Sequence, residues 1–205
     1  MAMTRRELRA LHADDDGDLD RHPDESRATV LFVCTGNVVR SPFLAGLLAS
    51  LGLPELSFES AGLRAVEGVP ASGRVQELAQ EYGIDLSHHS AHRLEEHAIG
   101  SATAVVCATR EHKRDVLRLS PAALNHVFTI AELSRAAEKV DVEDLPDSSF
   151  VRWEALVQYA AMHRRNDDSD DIPDPYRRGD SDWWAFETAA LSAALPIMRH
   201  LVGAA

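Results

Sequence analysis

Cysteine is nearly missing from this 205-residue chain, which has only Cys34 and Cys107. Two thiols exclude a multi-disulfide framework and fit a reducing compartment, where a lone cysteine is free to act as a nucleophile. Positive charge is also in deficit, since 21 Lys and Arg stand against 33 Asp and Glu for a formal net charge of −12. That balance argues against nucleic acid or an anionic membrane surface as the main partner, so any anionic substrate has to be held by a local site. No apolar stretch approaches a membrane-spanning length, and residues 1–10 have no signal-peptide core. The expected location is therefore cytoplasmic. Internal repeats and low-complexity tracts are absent as well.

What the chain does have, at 45% hydrophobic residues, is enough apolar material for one sizeable core, so one domain with extensions is expected. Residues 1–27 include Asp14, Asp15, Asp16, Asp18 and Asp20. Such a charge run cannot pack and reads as a disordered acidic tail. From residue 28 onward, short apolar runs alternate with helical periods. This is the pattern of an α/β three-layer sandwich, with a four-stranded parallel sheet flanked by helices. The strands are expected at 28–33, 56–60, 103–107 and 126–130, each short and rich in β-branched or aromatic residues. Helices are expected at 42–51, 73–82, 110–119 and 181–202. The last carries Trp184, Thr188, Leu191 and Leu195 as a helical stripe that would pack on the sheet. Segment 134–171 is less regular and reads as an inserted helix, 150–164, between flexible acidic linkers. Trp183 and Trp184 read as core anchors of the final helix.

The most informative stretch runs from Thr29 to Pro42, from a buried strand through a loop to a helix start marked by Ser41-Pro42. Five residues separate Cys34 from Arg40. A loop of that length can close a ring of backbone N–H groups around an oxyanion, with a thiol below it and a guanidinium beside it. The same surroundings favour the thiolate, which is the nucleophilic form. In the phosphate-binding loop that begins at Thr35, the amides of Gly36, Asn37, Val38, Val39 and Arg40, the Arg40 charge and the Ser41 hydroxyl would supply that stabilisation. No metal or other cofactor is needed. Arg40 can take two phosphate oxygens in its planar fork and stabilise charge as a phosphoryl group passes to sulfur. The spacing alone is common, but the preceding strand, Gly36 and the Ser-Pro helix start are independent requirements.

Phosphoryl transfer from an oxygen ester also needs an acid for the leaving group. Asp174, in Ile-Pro-Asp-Pro-Tyr, is the best candidate, with Tyr176 as an aromatic wall for substrate, although Asp-Pro by itself is an ordinary turn signal. His88, His89 and His92 lack a third ligand at helical spacing and are not expected to hold a metal.

Together with Ser60-Ala61-Gly62, Gly83-Ile84-Asp85-Leu86-Ser87, His89 and Asp174-Pro175-Tyr176, the Cys34 loop resembles the low-molecular-weight protein-tyrosine phosphatase family. The likeness is dense over 30–94, thin over 101–130, returns over 174–201, and leaves out the tail and the insertion. It implies Cys34 as nucleophile, Arg40 as phosphate clamp, and Asp174 as general acid and then base. It also implies that Asn37, Ser41, Ser60 and His89 form the hydrogen-bonding network that shapes the loop. The implied substrate is a phosphotyrosine protein or small aryl phosphate. Two alternatives stay open: an arsenate reductase coupled to an external thiol, and a module that binds a phosphorylated partner without turnover. The chain also departs from the family. Val39 stands where many members have a second cysteine, and Ala108-Thr109 stand where Met-Asp is frequent.

Overall fold

The computed structural model describes residues 27–143, 145–164 and 170–203. The expected tail, apart from Arg27, lies outside the described residues, as do Asp167 and Asp168 of the second acidic linker. Four strands, β1 (Ala28–Cys34), β2 (Leu56–Gly62), β3 (Ala104–Cys107) and β4 (Val127–Thr129), form one sheet in the order β2-β1-β3-β4. All three pairings are parallel. Every residue of β3 and of the edge strand β4 is buried, as expected of parallel strands covered on both faces.

Helices cover both faces. They are α1 (Arg40–Ala49), α2 (Gly73–Glu81), α3 (Glu96–Ser101), α4 (Arg110–Leu119), α5 (Ile130–Ala137), α6 (Ser149–Met162) and α7 (Asp180–Val202), with a 3₁₀ turn at Pro121–His126. Side chains alternate across a strand. Ala28, Val30, Phe32 and Cys34 of β1 therefore enter the larger core beneath α1, α5, α6 and α7, while Leu31 and Val33 enter a smaller one with Ile99 and Val116. The register sets Val33 beside Cys107, whose side chain lies in the smaller core. The two cysteines thus sit on opposite faces of the sheet.

Four expectations are corrected. The fourth strand stops at Thr129, because Thr129 caps α5: its hydroxyl accepts from the Glu132 N–H at 3.2 Å while Glu132 accepts from the Thr129 N–H at 2.7 Å. Helix α3 and most of α5 stand where no helix was expected. Segment 134–171 is no loosely attached insertion, since Trp153 and Leu156 of α6 are fully buried in the main core. Glu55, just before β2, ties α6 down by accepting from the Ser149 hydroxyl at 2.8 Å and the Phe150 N–H at 3.1 Å. These bonds, the Phe150 N–H foremost, hold the Glu55 carboxyl below its usual range. The last correction concerns α7, whose buried face is Trp183, Phe186, Ala190, Ala193, Ala194, Ile197 and Leu201. Trp184 and Leu195 of the expected stripe point outward, at 69% and 43% exposure.

Candidate active site

The Cys34 loop joins the carboxyl end of β1 to the first turn of α1, where open α/β sheets place their binding crevice. Helix α1 has no side chain bonded to its N-terminal amides and no acidic residue in its first turn. Its unpaired N–H groups and dipole are thus left for an anion. Cys34 lies at the floor, 2% exposed. Its sulfur is 3.1 Å from the Ser41 hydroxyl and accepts the Asn37 N–H at 3.3 Å.

Asn37 holds the loop in shape. Its backbone is left-handed, with φ of 55°, a conformation asparagine tolerates better than most residues. Its side chain is saturated: Nδ2 donates to Ser41 Oγ at 2.9 Å and Ser60 Oγ at 2.8 Å, and Oδ1 accepts the His92 N–H at 2.9 Å. His89 Nε2 meets the Asn37 carbonyl at 2.7 Å. Asn37, Ser41, Ser60 and His89 therefore do come together around the loop. The Ser41 hydroxyl has one proton and two acceptors within reach, the Ala61 carbonyl at 3.2 Å and the Cys34 sulfur. Gly62, paired with Cys34 in the sheet, is fixed by crowding: a Cβ there would meet the Asn37 nitrogen at 2.8 Å and the Gly36 carbonyl carbon and Thr35 oxygen at 2.9 Å.

Arg40 opens α1 and is 5% exposed. Its Nη2 donates to Asp174 Oδ2 at 2.6 Å and to Thr35 Oγ1 at 3.1 Å, and its Nη1 approaches the Ile172 carbonyl at 3.5 Å. Asp174 comes from the segment before α7. That segment is pinned rather than loose, against the expectation of a flexible linker. Asp170 is 1% exposed and ion-paired with Arg135, Asp171 accepts the Arg110 N–H at 2.7 Å, and the Ile172 N–H reaches the Ala108 carbonyl at 2.8 Å.

A cavity of about 330 Å³ opens above the loop, lined by Cys34, Thr35, Gly36, Val38, Val39 and Arg40 together with Arg64, Val66, Val69, Asp174 and Tyr176. Tyr176 is 45% exposed and stacks against Arg177. Val66 and Val69 were not singled out in the sequence. Neither was His112, on the first turn of α4, whose Nε2 lies 2.9 Å from Thr35 Oγ1. Burial, aided by the Arg40 charge, pushes His112 down to about 4. Among the described residues no group of three His, Cys, Asp or Glu side chains is placed to hold a metal ion. No described helix is long and apolar enough to cross a membrane.

A parallel α/β sheet with a cysteine at the floor of an amide-lined loop and an arginine–aspartate pair at its mouth defines a protein built around an oxyanion site. The family model described as "Low molecular weight phosphotyrosine protein phosphatase" matches residues 29–157, and the chain belongs to that family. The match runs into the segment read as an insertion and stops short of Asp174. Among curated relatives, the protein-arginine-phosphatase of Geobacillus stearothermophilus is 40% identical over 103 residues, covering 50% of this chain and 69% of the relative. The probable low molecular weight protein-tyrosine-phosphatase EpsP of Ralstonia solanacearum is 34% identical over 133 residues, covering 63% and 88%. Among solved structures, the YwlE arginine phosphatase from Geobacillus stearothermophilus superposes with a TM-score of 0.63 at 26% identity, over 85% of this chain and 90% of that one.

Proposed function

We propose that this chain hydrolyses aryl phosphate monoesters, phosphotyrosine in proteins foremost, through a phosphocysteine on Cys34. Cys34 attacks phosphorus, the P–S bond forms as the P–O bond to the phenol breaks, and Asp174 gives its proton to the departing oxygen. Water then attacks phosphorus, its proton returns to Asp174, and the P–S bond breaks to release phosphate. Arg40 and the loop amides balance charge on the equatorial oxygens throughout. The observation that carries the reading is the convergence of Cys34, Arg40 and Asp174 on one amide-lined loop, with Asp174 2.6 Å from the clamp.

Substrate class follows from the shape of the approach. The sulfur is almost wholly buried, so a phosphoryl group must be carried down on a long, rigid arm. Val38, Val39, Val66, Val69 and Tyr176 line that approach and suit an aromatic ring. A phosphoarginine substrate is the second reading, favoured by the 40% identity to an arginine phosphatase. Against it, Arg64 adds a positive charge to the lining of the cavity that a departing guanidinium would have to leave through. Arsenate reduction would need an external thiol, because Cys107 faces away from Cys34 across the sheet.

One comparison separates these: product release from phosphotyrosine, phosphoserine and phosphoarginine peptides and from arsenate with thiol, using native protein, Cys34→Ser and Asp174→Asn. Phosphotyrosine is expected to be the best substrate. Cys34→Ser is expected to be inactive and Asp174→Asn slowed by at least about 100-fold on it. Undiminished turnover by Cys34→Ser would overturn the mechanism, and phosphotyrosine bound without any release would leave a binding module.

A further inference from the structure

Arg40 Nη2 carries two hydrogens, and both are taken: one by Asp174 at 2.6 Å, the other by the Thr35 hydroxyl oxygen at 3.1 Å. If Asp174 acts as the acid proposed above, it has to turn from the guanidinium toward the leaving oxygen. Among the described residues, Thr35 and the more distant Ile172 carbonyl then remain as the partners that orient the fork. A threonine hydroxyl rotates freely unless something fixes it, and here that something is the His112 ring 2.9 Å away.

The ring itself is firmly placed. His112 is 6% exposed, and its backbone N–H donates to the Thr109 hydroxyl that caps α4 at 3.1 Å. Its Nδ1 is buried and finds no hydrogen-bond partner among the described residues. A neutral imidazole carries one N–H, and a buried orphan donor is rarer than a buried orphan acceptor. That places the hydrogen on Nε2, donating to Thr35. Thr35 Oγ1 then accepts from His112 and from Arg40, so its own hydrogen is left free of both, on a residue that lines the cavity.

We propose that His112, acting through the Thr35 hydroxyl, is the positioning residue that keeps the Arg40 guanidinium aimed at a bound phosphoryl group once Asp174 has let go. Thr35 is thereby a direct donor to a phosphoryl oxygen, and His112 never touches substrate. This rests on the phosphatase reading only for its catalytic consequence, because anion binding alone reports the arrangement.

The test measures inorganic phosphate binding by calorimetry, and kcat and KM for p-nitrophenyl phosphate, in native protein and in His112→Leu, His112→Gln, Thr35→Val, Thr35→Ser and the Leu/Val double variant. Thermal unfolding is followed in each. Loss of one hydrogen bond to a charged group predicts phosphate binding weakened about tenfold or more in His112→Leu and in Thr35→Val. KM should rise in proportion, and the double variant should be no worse than either single one. Glutamine reaches about as far as Nε2, so His112→Gln should recover most of the affinity, as should Thr35→Ser. Native phosphate affinity in His112→Leu, or losses that add in the double variant, would overturn the proposal. Should His112→Leu fail to fold, Thr35→Val against Thr35→Ser and His112→Gln decides it. Native protein that binds phosphate but releases none from the aryl ester would defeat the activity reading alone, leaving the binding comparison intact.

Discussion

At the scale of single residues, the site is defined as much by Val39 as by Cys34. Val39 is 3% exposed and offers no thiol, and Cys107 is buried in the smaller core across the sheet. Desolvation raises the Cys107 thiol well above its ordinary range, so it is not a ready thiolate either. An oxidised Cys34 sulfur therefore lacks a partner that could trap it as a disulfide. Peroxide is expected to carry it past the sulfenic stage to forms that thiols do not reverse. Intact-mass spectrometry before and after a reductant checks this, and a fully thiol-reversible internal disulfide would count against it. Cys34, Arg40 and Ser41 could be read from one short stretch, through strand, glycine and Ser-Pro, and Asp174 from its proline-flanked turn, whereas Asn37, Ser60 and His89 came only from the family resemblance. His112 could not be read that way. Its bond to Thr35 spans 77 positions and exists only because α4 packs beside the loop.

At the scale of elements, the contact between β2 and the Cys34 loop is the tightest constraint on the site. Gly62 accepts the Leu94 N–H and donates to the His92 carbonyl, each at 2.9 Å, while its α-carbon faces three backbone atoms of the loop at under 3 Å from any added Cβ. Since all three are main-chain atoms, the loop itself has to move to admit a methyl group. Gly62→Ala is expected to lower kcat/KM by roughly 100-fold, the cost of a displacement near 1 Å at a reacting centre. Overpacking would add a stability loss of about 1–3 kcal/mol. Kinetics beside a urea titration separate the two effects, and full activity would show that the loop is not held by this contact. The same scale explains the misread final helix. Helix α7 is apolar on two faces, and the one that meets the core uses Ala190, Ala193 and Ala194 for close approach, whereas Trp184 and Leu195 make the louder periodic signal. Periodicity finds a stripe, but only packing says which stripe is inside.

At the scale of the whole molecule, buried neutral histidines make stability depend on pH. Burial drives His112 down to about 4, and it also lowers His200, which is wedged between α7 and α6 with its Nε2 2.9 Å from the Arg152 carbonyl. The unfolded chain protonates these rings near pH 6.5, while the folded chain protonates both at lower pH, His112 only near 4. Between about pH 6.5 and 4 the unfolded state thus holds more protons, and stability falls as the pH falls. Glu55 acts in the same direction but later: its lowered carboxyl loses its stabilising effect only below the ordinary range of a glutamate. Urea midpoints are expected to decline from pH 7 to pH 4.5, with a shallower decline in His112→Leu. A flat profile across that window would show that His112 takes up its proton without resistance. The layered sheet was legible because four short apolar runs alternate with helical periods along the chain. The packing of α5 and α6 was not, because the acidic stretches that follow each of them resemble linkers until Asp170 is seen to pair with Arg135, and because the Glu55 that ties α6 down lies far away in the sequence.

The carboxylate resting on Arg40 also works as a turnstile. Asp174 is 44% exposed at its side chain while the guanidinium beneath it is 6% exposed, so water and stray anions meet the negative group first. On the mechanism proposed above, a weakly charged visitor would gain too little from the fork to dislodge it, whereas a dianion that also fills the ring of amides would. On that mechanism the same displacement would free the Asp174 carboxyl to turn toward the bond about to break, so admission and readiness would become a single movement.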